Sequence, residues 1–421
     1  MYARNKIPTL IYVGILMLSM LTGIVRAQGN QYLLRLAEES NSESLLVNHL
    51  SAHEDFSDST KFIPTGMPIY VIANEDLPQI RTQDFAPICA LFCATALVEI
   101  EDCRRKQIKP CNRLPDEQRI SVVGMKIYSD NIDKPRYSST GIGPIPYEHR
   151  EVYEILDKVT LRGGDVILYS ESCLNYENFV SQFNHDGRQH TATRVKALFT
   201  ELQSRFSLAQ AEQIATKRSP AVDCKECQAI ADVFRQRFGI ASTPAEVRDA
   251  LTASSFNQFL YLMIFDTQDS NPRCRDLSWK RDIHGRAYFE HFPELTASRS
   301  DTSSTSVDEL FTVLEEKIKA NIPVSLSGIC TSQNKNSKRC NSHCFIVTGL
   351  RTVRSVSTGA YVKLVRVGSS LGEEWHTANN NGWVRVDRLK ELMVTADDIN
   401  IQLKPSNRRN VFPYMMSWLR Q

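Results

Sequence analysis

The sequence predicts an α+β fold, and three observations carry that expectation. The run from Cys89 to Ile100 is densely apolar, contains no Gly or Pro, and by its length favours a buried helix over a strand. From about residue 170 to about 300 the apolar residues recur at helical spacing. After Ala320 the texture changes to short alternating or β-branched stretches separated by turn residues. A helical first half followed by a stranded last third is the pattern of α+β proteins.

Taken in order, residues 28 to about 75 alternate short apolar groups with a polar stretch, Ser51 to Lys61, and suit a pro-segment or linker. Glu101-Asp102 is expected to mark the exit of the Cys89 helix to the surface. Glu148 to Val159 places Val152, Ile155, Leu156 and Val159 on one helical face and is stopped by Arg162-Gly-Gly164. Helices are also expected over Arg194 to Ala215, Cys227 to Phe238 and Pro244 to Phe265, the last with Pro244 near its start. A Ser/Thr-rich connector precedes a helix from Val307 to Ala320, with Ser306 or Asp308 as cap and Leu310, Val313, Leu314 and Ile318 on one face. Strands are expected at Ile322 to Ser327, Cys344 to Gly349, Ala360 to Val367 and Trp383 to Asp387.

The chain has 421 residues, enough for a large core, and no internal repeat divides it. Arg4 and Lys6, an apolar segment from Ile7 to Val25, and Val25-Arg26-Ala27 read as a secretory signal cleaved after Ala27. Pro8, Thr9, Ser19, Thr22 and Gly23 weaken that segment as a membrane span, so no stable membrane insertion is expected after cleavage. Residues 1–27 carry three positive charges and no negative ones, so their removal takes the formal charge from +2 to −1. No dense Lys/Arg block with interleaved aromatics is present, which argues against a nucleic-acid partner. A secreted or periplasmic location follows from the signal.

Eleven cysteines in an exported chain suggest disulfides, and the odd count leaves at least one sulfur over. Cys89 is the sulfur expected to stay outside the bridges, with Cys93 as a packing or bridging neighbour one turn on. Cys224-Lys-Glu-Cys227 reads as structural disulfide chemistry rather than a metal or redox motif, because no second CxxC or His cluster accompanies it. Phosphate loops, HExxH helices and Gly-x-Ser-x-Gly elbows are missing from the sequence, and no cofactor is expected.

Chemistry concentrates at Gln83-Asp-Phe-Ala-Pro-Ile-Cys89. A thiol at a helix start meets the positive end of the helix, and a nearby glutamine amide with the cysteine N–H can receive an oxyanion. Nucleophilic cysteine catalysis also needs a base, and His343 stands apart among nine histidines by opening a strand directly after the polar stretch Cys330 to Ser342. Downstream lie Ser369-Ser370-Leu371-Gly372-Glu-Glu-Trp375 and Asn381-Gly382-Trp383. In this order the chain resembles the papain-like cysteine peptidases, over residues 78 to 105 and 307 to 390.

The resemblance implies Gln83 as the oxyanion-hole side chain, Cys89 as nucleophile and His343 as base. Ser369 stands where the family has its orienting asparagine, and Trp375 falls at the spacing of the family's next tryptophan. The family's bridging Cys falls on Ala86, a Gly on Pro87 and the Trp after the nucleophile on Ala90, so one family disulfide is missing. Cys89 and His343 lie about 250 residues apart, against roughly 130 to 150 in the compact pattern. The implied architecture is a two-lobed fold, a helical lobe and an antiparallel sheet lobe, over residues 76–400. A mostly helical insertion spans about 170–300, and residues 401–421 form a tail. The implied activity is hydrolysis of a polypeptide substrate through an acyl-enzyme. Two other readings remain: a transglutaminase- or amidase-type acyl transferase, which usually employs Asp as third member, and a catalytically silent binding protein, supported by Ala86, Pro87, Ala90 and Ser369.

Overall fold

The computed structural model describes residues 54–83, 89–125, 152, 155–156, 169–183, 188–216, 224–266, 274, 279–283, 286–290, 296–301, 307–330, 342–392 and 415–420. The signal segment, the Ser306 cap and most of the helix expected at Glu148 to Val159 lie outside these residues. Described elements run β1 (Phe62–Pro64), β2 (Tyr70–Val71), α1 (Cys89–Lys106), α2 (Tyr176–Ser181), α3 (Arg188–Thr216), α4 (Lys225–Val233), α5 (Pro244–Ala250) and α6 (Phe256–Tyr261). Then follow β3 (Trp279–Ile283), β4 (Arg286–Glu290), β5 (Thr296–Asp301), α7 (Val307–Lys319), β6 (Val324–Cys330), β7 (Ser342–Ser355) and β8 (Tyr361–Ser369). Last come α8 (Glu373–Ala378), β9 (Trp383–Arg385), α9 (Val386–Leu392) and β10 (Met415–Arg420). Helices and an antiparallel sheet share one chain, as α+β requires.

The sheet is ordered β5-β10-β6-β7-β8-β9, with β1 and β2 also pairing with β7, and every pairing is antiparallel. β7 is its axis. Alternation along β7 divides the core in two, since successive side chains leave a strand on opposite faces. Cys344 and Ile346 pack with α1 and the helices of residues 176–266. Phe345 and Val347 pack on the other face with Leu310, Phe311, Leu314 and Ile318 of α7 and with Trp375. The α7 residues recur at helical spacing and so line one face of the helix, and Trp375 of α8 and Leu389 of α9 complete the cover.

Several elements depart from the sequence expectation. α1 does not surface at Glu101-Asp102: it continues to Lys106, and both acids are buried. Arg104 donates to Glu101 at 2.9 Å and Lys106 to Asp102 at 2.7 Å, so partners three and four residues on carry the charges inside the helix. The expected Pro244 to Phe265 helix breaks after Ala250. Ser255 starts α6 by accepting from Gln258 N–H at 3.1 Å, an N-cap that competes with helix continuation. Val386-Asp387 was expected in a strand and opens α9 instead. The stretch up to residue 300 is not helical to its end, because β3 and β4 form a hairpin and β5 joins the sheet. Phe62–Pro64 and Tyr70–Val71, inside the expected pro-segment or linker, pair with β7. The expected C-terminal tail ends in β10, which lies between β5 and β6.

Four disulfides are described: Cys93–Cys344, Cys103–Cys111, Cys173–Cys274 and Cys224–Cys227. Cys224-Lys-Glu-Cys227 is thus a disulfide, and its Cys224 sulfur also accepts from Cys227 N–H at the start of α4. Cys93 is a bridging residue, not a buried thiol. Gly382 has φ +84°, and a Cβ there would lie 2.3 Å from the Val367 carbonyl oxygen. Only glycine brings the turn into β9 this close to β8.

Candidate active site

Cys89 is the first residue of α1, is buried, and keeps its sulfur outside the described disulfides. From Cys89 to Val98 the apolar residues of α1 pack with the helical block and with Cys344 and Ile346 of β7. One turn further on, about 6 Å along the axis, Cys93 is bonded to Cys344 of β7. Residue 344 follows His343. The bridge therefore joins the helix that carries Cys89 to the strand that carries His343, at the position after His343.

His343 is buried at the mouth of β7, on the face of Phe345, whose ring it meets edge-on with centroids 4.8 Å apart. Its Nε2 lies 3.2 Å from Ser369 Oγ. Ser369 Oγ also accepts from the Leu371 N–H at 3.2 Å, which fixes the hydroxyl beside the ring. With Nε2 engaged, Nδ1 is the nitrogen left to take a proton from a thiol. Among the described residues no hydrogen bond joins His343 to Cys89. The Cys93–Cys344 bridge, four residues after Cys89 and one after His343, links their elements covalently.

Gln83 is held by pairing with the segment after β8, next to Ser369 in sequence. Thr82 bridges Leu371, Gln83 N–H donates to the Ser370 carbonyl at 2.7 Å, and Ser370 Oγ donates to Gln83 Oε1 at 2.5 Å. Since Oε1 accepts from Ser370, the amide NH2 is the donor end that an oxyanion needs. Tyr176 Oη donates to the Gln83 carbonyl at 2.6 Å, tying the segment to the helical block. All four residues expected from the sequence are thus buried, and the structure pairs two of them directly, His343 with Ser369. Ala86 and Pro87 lie outside the described residues, whereas Ala90 is buried in α1.

Three features were not read from the sequence. His376, in α8, accepts the Ser369 N–H on Nε2 at 3.0 Å, so its Nδ1 carries the proton in the neutral ring. Arg81, two residues before Gln83, is buried in an ion pair with Glu99 of α1 and stands 3.8 Å from Glu171. Glu99 accepts from Ile120 N–H at 2.7 Å, and Glu171 from Tyr176 and Val122 N–H groups at 2.8 and 3.1 Å. Burial raises the Glu171 carboxyl's pKa while Arg81 pulls against it. A single carboxylate inside the apolar run, Glu99, was the available signal that a buried cation faces α1. The third feature is the Cys93–Cys344 pairing itself. A cavity of about 110 Å³ runs along α1 from Phe92 to Ile100 and takes in Ser369, Ser370 and His376; neither Cys89 nor His343 lines it.

Burial lowers the pKa of His343 to about 3 and that of His376 to about 4. Both rings are neutral near neutrality. In the unfolded chain imidazoles take protons near 6.5, so below that pH the unfolded state binds more protons and stability falls as pH falls toward 3. Above pH 6.5 these two groups contribute no slope. Urea midpoints followed by tryptophan fluorescence are expected to drop between pH 6.5 and 4, and the drop should shrink in His376→Asn. A midpoint that stays level over that range in the parent would contradict the buried neutral rings. No protein-family model, no curated protein and no solved structure matches this chain.

Proposed function

We propose that the protein is a cysteine peptidase of papain-like design, hydrolysing peptide bonds through Cys89 with His343 as base. The observation that carries this reading is the His343 Nε2 to Ser369 Oγ contact at 3.2 Å, on a strand covalently tied to the helix that Cys89 opens. A cysteine at a helix start, an imidazole held by a hydroxyl, and a glutamine amide are the parts acyl transfer requires.

The roles divide by chemistry. Cys89 Sγ attacks the substrate carbonyl carbon while its proton passes to His343 Nδ1. Gln83 NH2 and the Cys89 N–H donate to the developing oxyanion. His343 then protonates the leaving amine, and water, deprotonated by the same ring, hydrolyses the acyl-enzyme. Because His343 is buried and neutral, it acts as a base during attack rather than as half of a standing thiolate–imidazolium pair. Ser369 replaces the family's asparagine as the orienting group and does so with a shorter hydroxyl.

Incubation with unfolded casein and with a primary amine probe separates peptide hydrolysis from amide transfer. New α-amino termini without amine incorporation are the expected result; amine incorporation without new termini would assign the site to an acyl transferase. The nearest described partner of the His343 ring is a serine, not the aspartate such transferases usually employ.

A further inference from the structure

We infer that the Cys93–Cys344 disulfide is a positioning element of this site, a covalent latch that sets the approach of Cys89 to His343 and makes the activity depend on an oxidised bridge. The inference rests on the peptidase reading and deepens it. Three observations carry it. Cys93 follows Cys89 by one helical turn and Cys344 follows His343 by one residue, so the bridge joins the helix and the strand close in sequence to both residues. Alternation places His343 on the β7 face away from α1, with Phe345, while Cys344 faces α1. For Cys89 to react with His343 as base, the two have to meet around the mouth of β7, and the register of α1 on that strand sets how near they come. The bridge spans 251 positions of sequence, and near the site it is the covalent link between helix and strand.

Both sulfurs are buried, Cys93 in the α1 face and Cys344 against Ser327 Oγ at 3.4 Å. Reduction by a dithiol breaks the Cys93 Sγ–Cys344 Sγ bond and forms two thiols, the reagent closing to its cyclic disulfide. Reactive groups displaced by an ångström lose on the order of 100-fold in rate. A reductant is then expected to lower the activity of this enzyme, although it protects the nucleophilic thiol from oxidation.

The test compares Cys93→Ala/Cys344→Ala with Cys103→Ala/Cys111→Ala, which removes a second bridge from the other end of the same helix. Hydrolysis of a fluorogenic peptide is measured below the melting transitions of all three proteins. The latch variant is expected to lose kcat by at least ~10-fold with a smaller change in KM, and the control to lose stability while keeping kcat within ~2-fold. Dithiothreitol should lower kcat of the parent and leave the latch variant unchanged. An unchanged kcat in the latch variant, or equal losses in both variants, would overturn the inference. If the parent hydrolyses nothing, the peptidase reading falls, and the latch is judged by amide exchange: selective loss of protection over residues 89–96 and 343–347 in the latch variant supports it, and uniform loss or none refutes it.

Discussion

Cys89→Ala is expected to reduce peptide hydrolysis to background, a loss of at least ~10⁴-fold in kcat, with no loss of folding. The size follows from the chemistry. In the proposed mechanism there is no acyl-enzyme without the sulfur, and Gln83 and His343 would only polarise a bound amide toward water. Alanine fits the site because Cys89 is a small buried residue in a helix whose neighbours Ala90 and Ala94 already show that the environment accepts a methyl group. Thermal melting of the variant within a few degrees of the parent, together with the lost hydrolysis, is the expected pair of results. Residual hydrolysis above ~1% of the parent would remove Cys89 from the role of nucleophile.

His343→Ala is expected to lower kcat by ~10²–10⁴-fold, the usual worth of a positioned acid–base group. Ser369→Ala should cost less, about 10-fold, because the hydroxyl orients the ring without touching the reacting atoms. The pH profile discriminates more sharply than the magnitude. A solvated imidazole would give an acid limb near pH 6.5; His343, held neutral by burial down to about pH 3, gives none there. Brief assays started from neutral stock avoid the acid unfolding described above. An acid limb at 6.5 that disappears in the His343 variant would show that the ring is solvated in the working enzyme, contrary to the buried geometry.

Much of this site was legible because its parts are local patterns. The helix opened by Cys89 followed from an uninterrupted apolar run, and His343 followed from its place at the head of a β-branched stretch. Ser369 was reached only through family resemblance; the structure places its Oγ 3.2 Å from His343 Nε2. What escaped notice was long-range. Arg81 looks like an ordinary surface charge in a polar segment, and only the approach of Glu99 and Glu171 buries it. His376 follows two acids and a tryptophan, with no periodicity to mark it, and its role depends on the turn from β8 returning past it. Likewise Cys93–Cys344 was one of many pairings open to ten cysteines, and sheet register decides it by presenting Cys344 rather than His343 to α1. Strand pairing also recruits short segments: Phe62–Pro64 and Met415–Arg420 are too short to announce themselves, and they pair with the edges that β7 and β6 offer.

Labelling with a peptidyl epoxide followed by mass mapping of the modified residue tests the central claim most directly, because it reads nucleophile, base and substrate recognition together. The expected result is one adduct, on Cys89, that forms in the parent, slows strongly in His343→Ala and blocks hydrolysis in proportion to its extent. An adduct on another cysteine, or full hydrolysis after Cys89 is modified, would contradict it.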